Sequence, residues 1–285
     1  VESSTMRLPA FLALMSLLAS PAVAETVHFP SATRPPTLLQ QRLAKEHGTR
    51  IASQPSTELV GELYRPPGSG PHPAVVALHG CTGRGSKAYE DATAARFTAE
   101  GYALLFVDSF KPRGVTERCH EPASSPDVDR VMDAYGGLLY LSAQSFVDPE
   151  RIAVVGYSQG AMVALSAVSL DGEETLFDRH FRAAIAYYPG CRAEQRAVSV
   201  PTLILIGALD DWASAAACRG MMARRSGEGA PLRLVVYPGA YHAFDAVTLH
   251  DRPMTYQGHH LEYNEAADHA AWSEAAAFLR RAFGR

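Results

Sequence analysis

Residues 151–160 read RIAVVGYSQG, and the ten that follow read AMVALSAVSL. The apolar run 152–155 is too short for a helix and has no polar face, as expected of a strand buried on both sides. The small residues after it suit a helix packed close against a sheet. Between the two lies Gly156-Tyr157-Ser158-Gln159-Gly160, a G-x-S-x-G turn that lifts a serine hydroxyl clear of the sheet. Glycines at 156 and 160 leave room where the strand and helix backbones approach. The helix start also aims the Gln159 N–H at the place where negative charge would develop beside Ser158. In a chain with 22 glycines such a motif can arise by chance. The strand before it and the helix after it are what give it meaning.

The rest of the chain supplies the sheet that this turn requires. Strand patterns fall at 58–64, 74–78, 102–107, 183–187, 202–206 and 232–237. Helical patterns fall between them at 89–100 and 127–144, with a last helix capped by Asn264, opened by Glu265 and Asp268, and closed by Arg280 and Arg281. This alternation predicts an α/β fold: a single domain over 57–285 with a mainly parallel central sheet and helices on both faces. Residues 25–56 are Pro-rich and weakly patterned, and read as an extended surface segment. The net charge of −4 is no nucleic-acid footprint, which would need a clustered basic face.

A serine hydroxyl needs a base and an orienting acid. On a sheet of this kind they follow in the order serine, acid, histidine, each just beyond a later strand. The strand 202–206 ends in Gly207-Ala208-Leu209-Asp210-Asp211, and the strand 232–237 ends in Pro238-Gly239-Ala240-Tyr241-His242-Ala243-Phe244. Of 11 histidines, only His242 has that placement. Asp210 is the preferred acid; Asp211 is read as capping or opening the next helix, and Asp245 as too close to His242 along the chain. The loop after the strand 74–78 reads His79-Gly80-Cys81-Thr82-Gly83. It nominates the Cys81 N–H as the second oxyanion donor beside Gln159, with His79 shaping the loop. Cys81 as a thiol nucleophile is the weaker role for that residue.

Residues 6–24 (MRLPAFLALMSLLASPAVA) have one positive charge, a short apolar run and a small-x-small site at Ala22-Val23-Ala24. They read as a secretory signal peptide behind a five-residue extension, too short to span a bilayer. Cleavage after Ala24 would leave 285 − 24 = 261 residues with all four cysteines, in an oxidising periplasmic or extracellular setting with no membrane anchor. There is no C-x-x-C spacing.

With these residues in hand, the chain resembles the dienelactone hydrolase family of the α/β-hydrolase superfamily from about residue 59 to 283. The resemblance rests on LHGCTG (78–83), DSFKPRG (108–114), GYSQG (156–160), LIGALDDW (205–212) and YPGAYHAF (237–244). The family's namesakes carry cysteine where this chain has Ser158, and an acid in the oxyanion loop where this chain has Gly80. Both departures point to a serine hydrolase on the family scaffold and away from dienelactone as substrate. The resemblance implies hydrolysis of small esters or lactones without a cofactor. A serine peptidase of the same fold and a non-catalytic binding protein are the alternatives; the second normally lacks a triad member.

Tyr157, Trp212 and Tyr241 flank the catalytic positions as candidate pocket walls, with core packing an equal alternative. Arg113 is a candidate for binding a substrate carboxylate, and Arg118 another, against the plainer role of bracing a loop. The group His259, His260, Glu262, Glu265 and His269 lacks a recognised metal spacing and reads as a solvated face. Positions beyond neighbouring strands favour disulfides Cys191–Cys218 and Cys81–Cys119 over the two other connectivities.

Overall fold

A computed structural model describes residues 24–51, 55–120, 128–170, 172–192 and 197–285. The signal-peptide reading lies almost wholly outside these residues. Among these residues eight strands form one sheet in the order β1-β2-β4-β3-β5-β6-β7-β8. They are β1 (Ala24–Pro30), β2 (Glu58–Tyr64), β3 (His72–Leu78), β4 (Ala103–Asp108), β5 (Val147–Tyr157), β6 (Ala183–Tyr187), β7 (Thr202–Gly207) and β8 (Leu232–Tyr237). Pairing is antiparallel at β1/β2 and β2/β4 and parallel from β4 through β8. β4, β6 and β7 are buried along their whole length, which is why each appears in the sequence as an unbroken apolar run.

Among the described residues six α-helices accompany the sheet: α1 (Leu38–His47), α2 (Lys87–Ala99), α3 (Arg130–Ser142), α4 (Gln159–Ala167), α5 (Ala215–Ala223) and α6 (Glu265–Ala282). The connection β3–α2–β4 runs in one direction across the sheet, whereas β4–α3–β5 and β5–α4–β6 run in the other. Right-handed crossovers therefore put α2 on one face and α3 and α4 on the opposite one. α2 is joined there by α6 through a two-pronged Arg96–Asp268 ion pair and the Phe97–Trp272 ring contact at 5.0 Å. The direction reverses between β3 and β5, and open α/β sheets bind ligands in the crevice at such a reversal. The glycine pair inside α3 has a packing cause: a Cβ on Gly136 would lie 2.6 Å from the Pro30 carbonyl oxygen.

The described residues of 25–56 form two regular elements in place of the extended surface segment expected. β1 is an edge strand whose Val27 and Phe29 are buried, Phe29 stacking on Tyr140 of α3 at 5.0 Å. α1 follows, with a capping box between Thr37 and Gln40. Its residues are not buried, so it has no apolar stripe for the eye to find. A small hairpin, β9 (Met254–Tyr256) with β10 (His259–Leu261), is equally unpatterned in the sequence.

Candidate active site

Ser158 stands at the step from β5 into α4 with φ 54° and ψ −117°, a left-handed conformation that β-carbon-bearing residues rarely adopt. Its N–H is held by the Tyr187 carbonyl at 3.0 Å. Close packing enforces the turn. A Cβ on Gly156 would lie 2.1 Å from the Gly160 carbonyl oxygen, and one on Gly160 would lie 2.3 Å from that of Leu78. The start of α4 is thus pressed against the end of β3, and the loop after β3 comes with it. Gly80 sits so near that a Cβ there would be 3.5 Å from the Ser158 Cβ.

The loops after β7 and β8 complete the arrangement. His242 Nε2 lies 2.9 Å from Ser158 Oγ, and His242 Nδ1 lies 2.9 Å from Asp210 Oδ2. An ionised carboxylate only accepts, so Nδ1 carries the proton and Nε2 is left to accept from the serine hydroxyl. The other oxygen of Asp210 accepts from the N–H groups of Trp212 (3.0 Å) and Ala213 (2.7 Å), which fixes the carboxylate in place. His242 and Asp210 are both buried. Two rings hold the imidazole from the sides, Tyr188 at 4.6 Å and Trp212 at 5.1 Å between centroids.

Backbone N–H groups in the first turn of a helix have no intrahelical partner, and Gln159 opens α4 directly after Ser158. The facing loop is held rigidly. His79 Nδ1–H donates to the Gly80 carbonyl (2.7 Å) and Nε2 accepts from the Ser109 N–H (3.2 Å), a neutral tautomer; burial depresses its pKa well below the usual value. Arg130, buried, donates to the His79 carbonyl at 2.5 Å and to Gln159 Oε1 at 2.9 Å, tying the two loops together. Burial lowers its pKa to about 10. Disulfides join Cys81 to Cys119 and Cys191 to Cys218, the connectivity read from the sequence. The first excludes a free Cys81 thiol, and the Arg118 N–H on the Cys81 carbonyl (2.7 Å) adds a second tie.

A cavity of about 330 Å³ opens over Ser158 and His242. Tyr157 and Trp212 line it, as do Tyr89, Phe106, Tyr188 and Tyr256, which sequence reading missed. Tyr188 follows directly on β6, so its place at a strand end was a usable signal. The hairpin supplies the outer wall through Met254, Tyr256 and Leu261.

Three expectations are corrected. Arg113 turns away from the cavity: its guanidinium grips the fully buried Asp133 with two bonds, at 2.9 and 2.8 Å, and the Ser109 carbonyl at 2.7 Å. A buried carboxylate outcompetes a transient ligand for that cation. Neither it nor Arg118 lines the cavity formed by the described residues. Tyr241 packs on His260 at 4.3 Å and does not line the cavity. Asp211 does not cap α5, whose cap is Ser214; it accepts from the His260 N–H of β10 at 3.2 Å. Of the remaining His/Glu group, His259 stacks on Trp212, His260 meets Glu262 at 2.8 Å, and Glu265 meets His269 on α6 at 3.9 Å.

The family model of the dienelactone hydrolase family matches residues 59–283. The chain belongs to that family. Among solved structures, this dienelactone hydrolase family member is similar to a dienelactone hydrolase-like promiscuous phosphotriesterase from metagenomic libraries. The two are 17% identical, with 90% of this chain and 98% of that one covered and a TM-score of 0.62. An esterase of Pyrococcus furiosus is 16% identical, with 98% and 99% covered and a TM-score of 0.59. Both likenesses concern the α/β-hydrolase fold. A curated polyketide transferase of Stachybotrys chlorohalonatus is 37% identical over 101 residues, which span 35% of this chain and 32% of that protein.

Proposed function

We propose that this family member is an exported serine hydrolase that cleaves small carboxylic esters or lactones. One observation carries the reading: a single imidazole lies 2.9 Å from a strained, elbow-borne serine hydroxyl and 2.9 Å from a buried carboxylate. In the proposed reaction His242 takes the Ser158 proton as Oγ attacks the ester carbonyl. Asp210 holds the imidazole tautomer and stabilises its charged form. The carbonyl oxygen gains the negative charge between the N–H groups of Cys81 and Gln159; one such donor is worth about 3–4 kcal/mol of transition-state stabilisation. The tetrahedral intermediate expels the alcohol, which leaves with the proton from His242. Water, deprotonated by the same base, then attacks the acyl-serine, and the acid is released as Oγ recovers its proton.

Two disulfides support an oxidising compartment. Among the described residues no helix is long and apolar enough to cross a membrane. The deciding experiment is labelling by a fluorophosphonate probe. Wild-type protein is expected to label, and Ser158→Ala and His242→Ala are not; a folded wild type that stays unlabelled rejects the reading. A panel of p-nitrophenyl esters run beside a peptide panel separates esterase from peptidase.

A further inference from the structure

The charged groups around the cavity are already spoken for. Glu90 of α2 lines it, only 2% exposed, and both of its oxygens are taken by Arg84, through Nε at 2.7 Å and through a second, shorter contact from Nη2. Glu62 stands 3.8 Å from the same guanidinium, so Arg84 faces two carboxylates and has no charge left to offer a third. Arg113 is consumed by Asp133, and Arg130 by the His79 carbonyl and Gln159. His79 is neutral. Prominent among the uncharged groups that line the cavity are rings: Tyr188 and Trp212 against the imidazole, and Tyr256 at 5.8 Å from Trp212, with Met254 and Leu261 beside them.

We propose that this cavity selects uncharged esters, whose acyl part presents a flat apolar group to the wall formed by Tyr188, Trp212 and Tyr256. The inference rests on the reading of Ser158 as the nucleophile and deepens it. A carboxylate brought into this space would lose its hydration beside Glu90, with no cation among the described lining residues to receive it. An ammonium would find the Glu90 oxygens occupied, leaving only ring faces to attract it. A neutral arene loses little on entering and stacks on the rings.

The test uses 4-nitrophenyl esters of three arylacetic acids that differ only at the para position: methyl, carboxylate and ammoniomethyl. Their dissociation constants are measured by calorimetry on Ser158→Ala, and kcat/KM on the wild type. The methyl ester is expected to bind at least 30-fold more tightly than either charged ester, with a matching order in kcat/KM. A ratio below 30 against either charged ester overturns the inference, even if all three are cleaved. Binding in the expected order with no turnover by the wild type leaves the cavity's preference intact and instead counts against the hydrolase reading.

Discussion

Asp245 lies three residues beyond His242, yet its carboxylate serves the cavity wall. Tyr188 donates to one oxygen at 2.8 Å and Tyr89 to the other at 2.9 Å, so one half-buried acid positions two cavity-lining rings, one of them against the imidazole. Burial raises the pKa of this carboxyl. Asp245→Leu strands two partly buried hydroxyls at about 1–3 kcal/mol each. Urea unfolding should show that loss, with a smaller one for Asp245→Asn, which keeps an acceptor; equal losses in the two variants would reject this role. His79 carries a pH signature. Its folded-state pKa is depressed, so below 6.5 the unfolded chain takes up a proton that the folded protein refuses. The stability contributed by neutral His79 is present above that pH and falls by up to about 1.4 kcal/mol per unit as pH drops below it. Replacing His79 by Asn should flatten that part of the stability–pH curve, as followed by denaturant midpoints.

At the scale of elements, the elbow depends on two backbones meeting without side chains between them. Gly160→Ala would set a methyl group 2.3 Å from one carbonyl oxygen and 2.5 Å from another, neither of which can rotate away. The expected cost exceeds about 4 kcal/mol, seen as a melting point lowered by about 10 °C or more; an unchanged melting point would contradict the packing described. This dependence explains what the sequence made legible. Ser158, Asp210 and His242 meet because chain order and strand ends alone bring them together, and buried strands declare themselves as apolar runs. Arg113 was misread because a loop position does not reveal side-chain direction, and its partner Asp133 lies 20 residues away on α3. The hairpin was invisible because MTY and HHL are three-residue strands without alternation. Its tight turn rests on Gln257 and Gly258, both at positive φ, a weak echo of the usual Asn-Gly signal.

Over the whole molecule, the Cys81–Cys119 disulfide links the loops that follow β3 and β4, and the Cys191–Cys218 disulfide links the segment after β6 to helix α5. Their sequence separations of 38 and 27 residues correspond to about 4 kcal/mol of stability each from chain entropy. The Cys81–Cys119 bridge should matter doubly, since one end lies in the loop that faces Ser158. Replacing both of its cysteines by alanine is expected to lower kcat as well as stability, while the Cys191–Cys218 double replacement lowers stability more than kcat; denaturation and ester turnover on the same samples distinguish them. The hairpin β9–β10 belongs to the same scale. It is fastened by polar contacts, Tyr256 to Glu117, Gln257 to His120 and the His260 N–H to Asp211, while Met254 at its outer edge is 43% exposed. The floor of the cavity is built on the sheet, but apart from a backbone bridge between Leu261 and His242 its rim is tied by polar groups that solvent reaches. Rim and floor can therefore drift at different evolutionary speeds: the entrance can be resized for a new substrate by changes in a few loop residues, with the strands beneath left untouched.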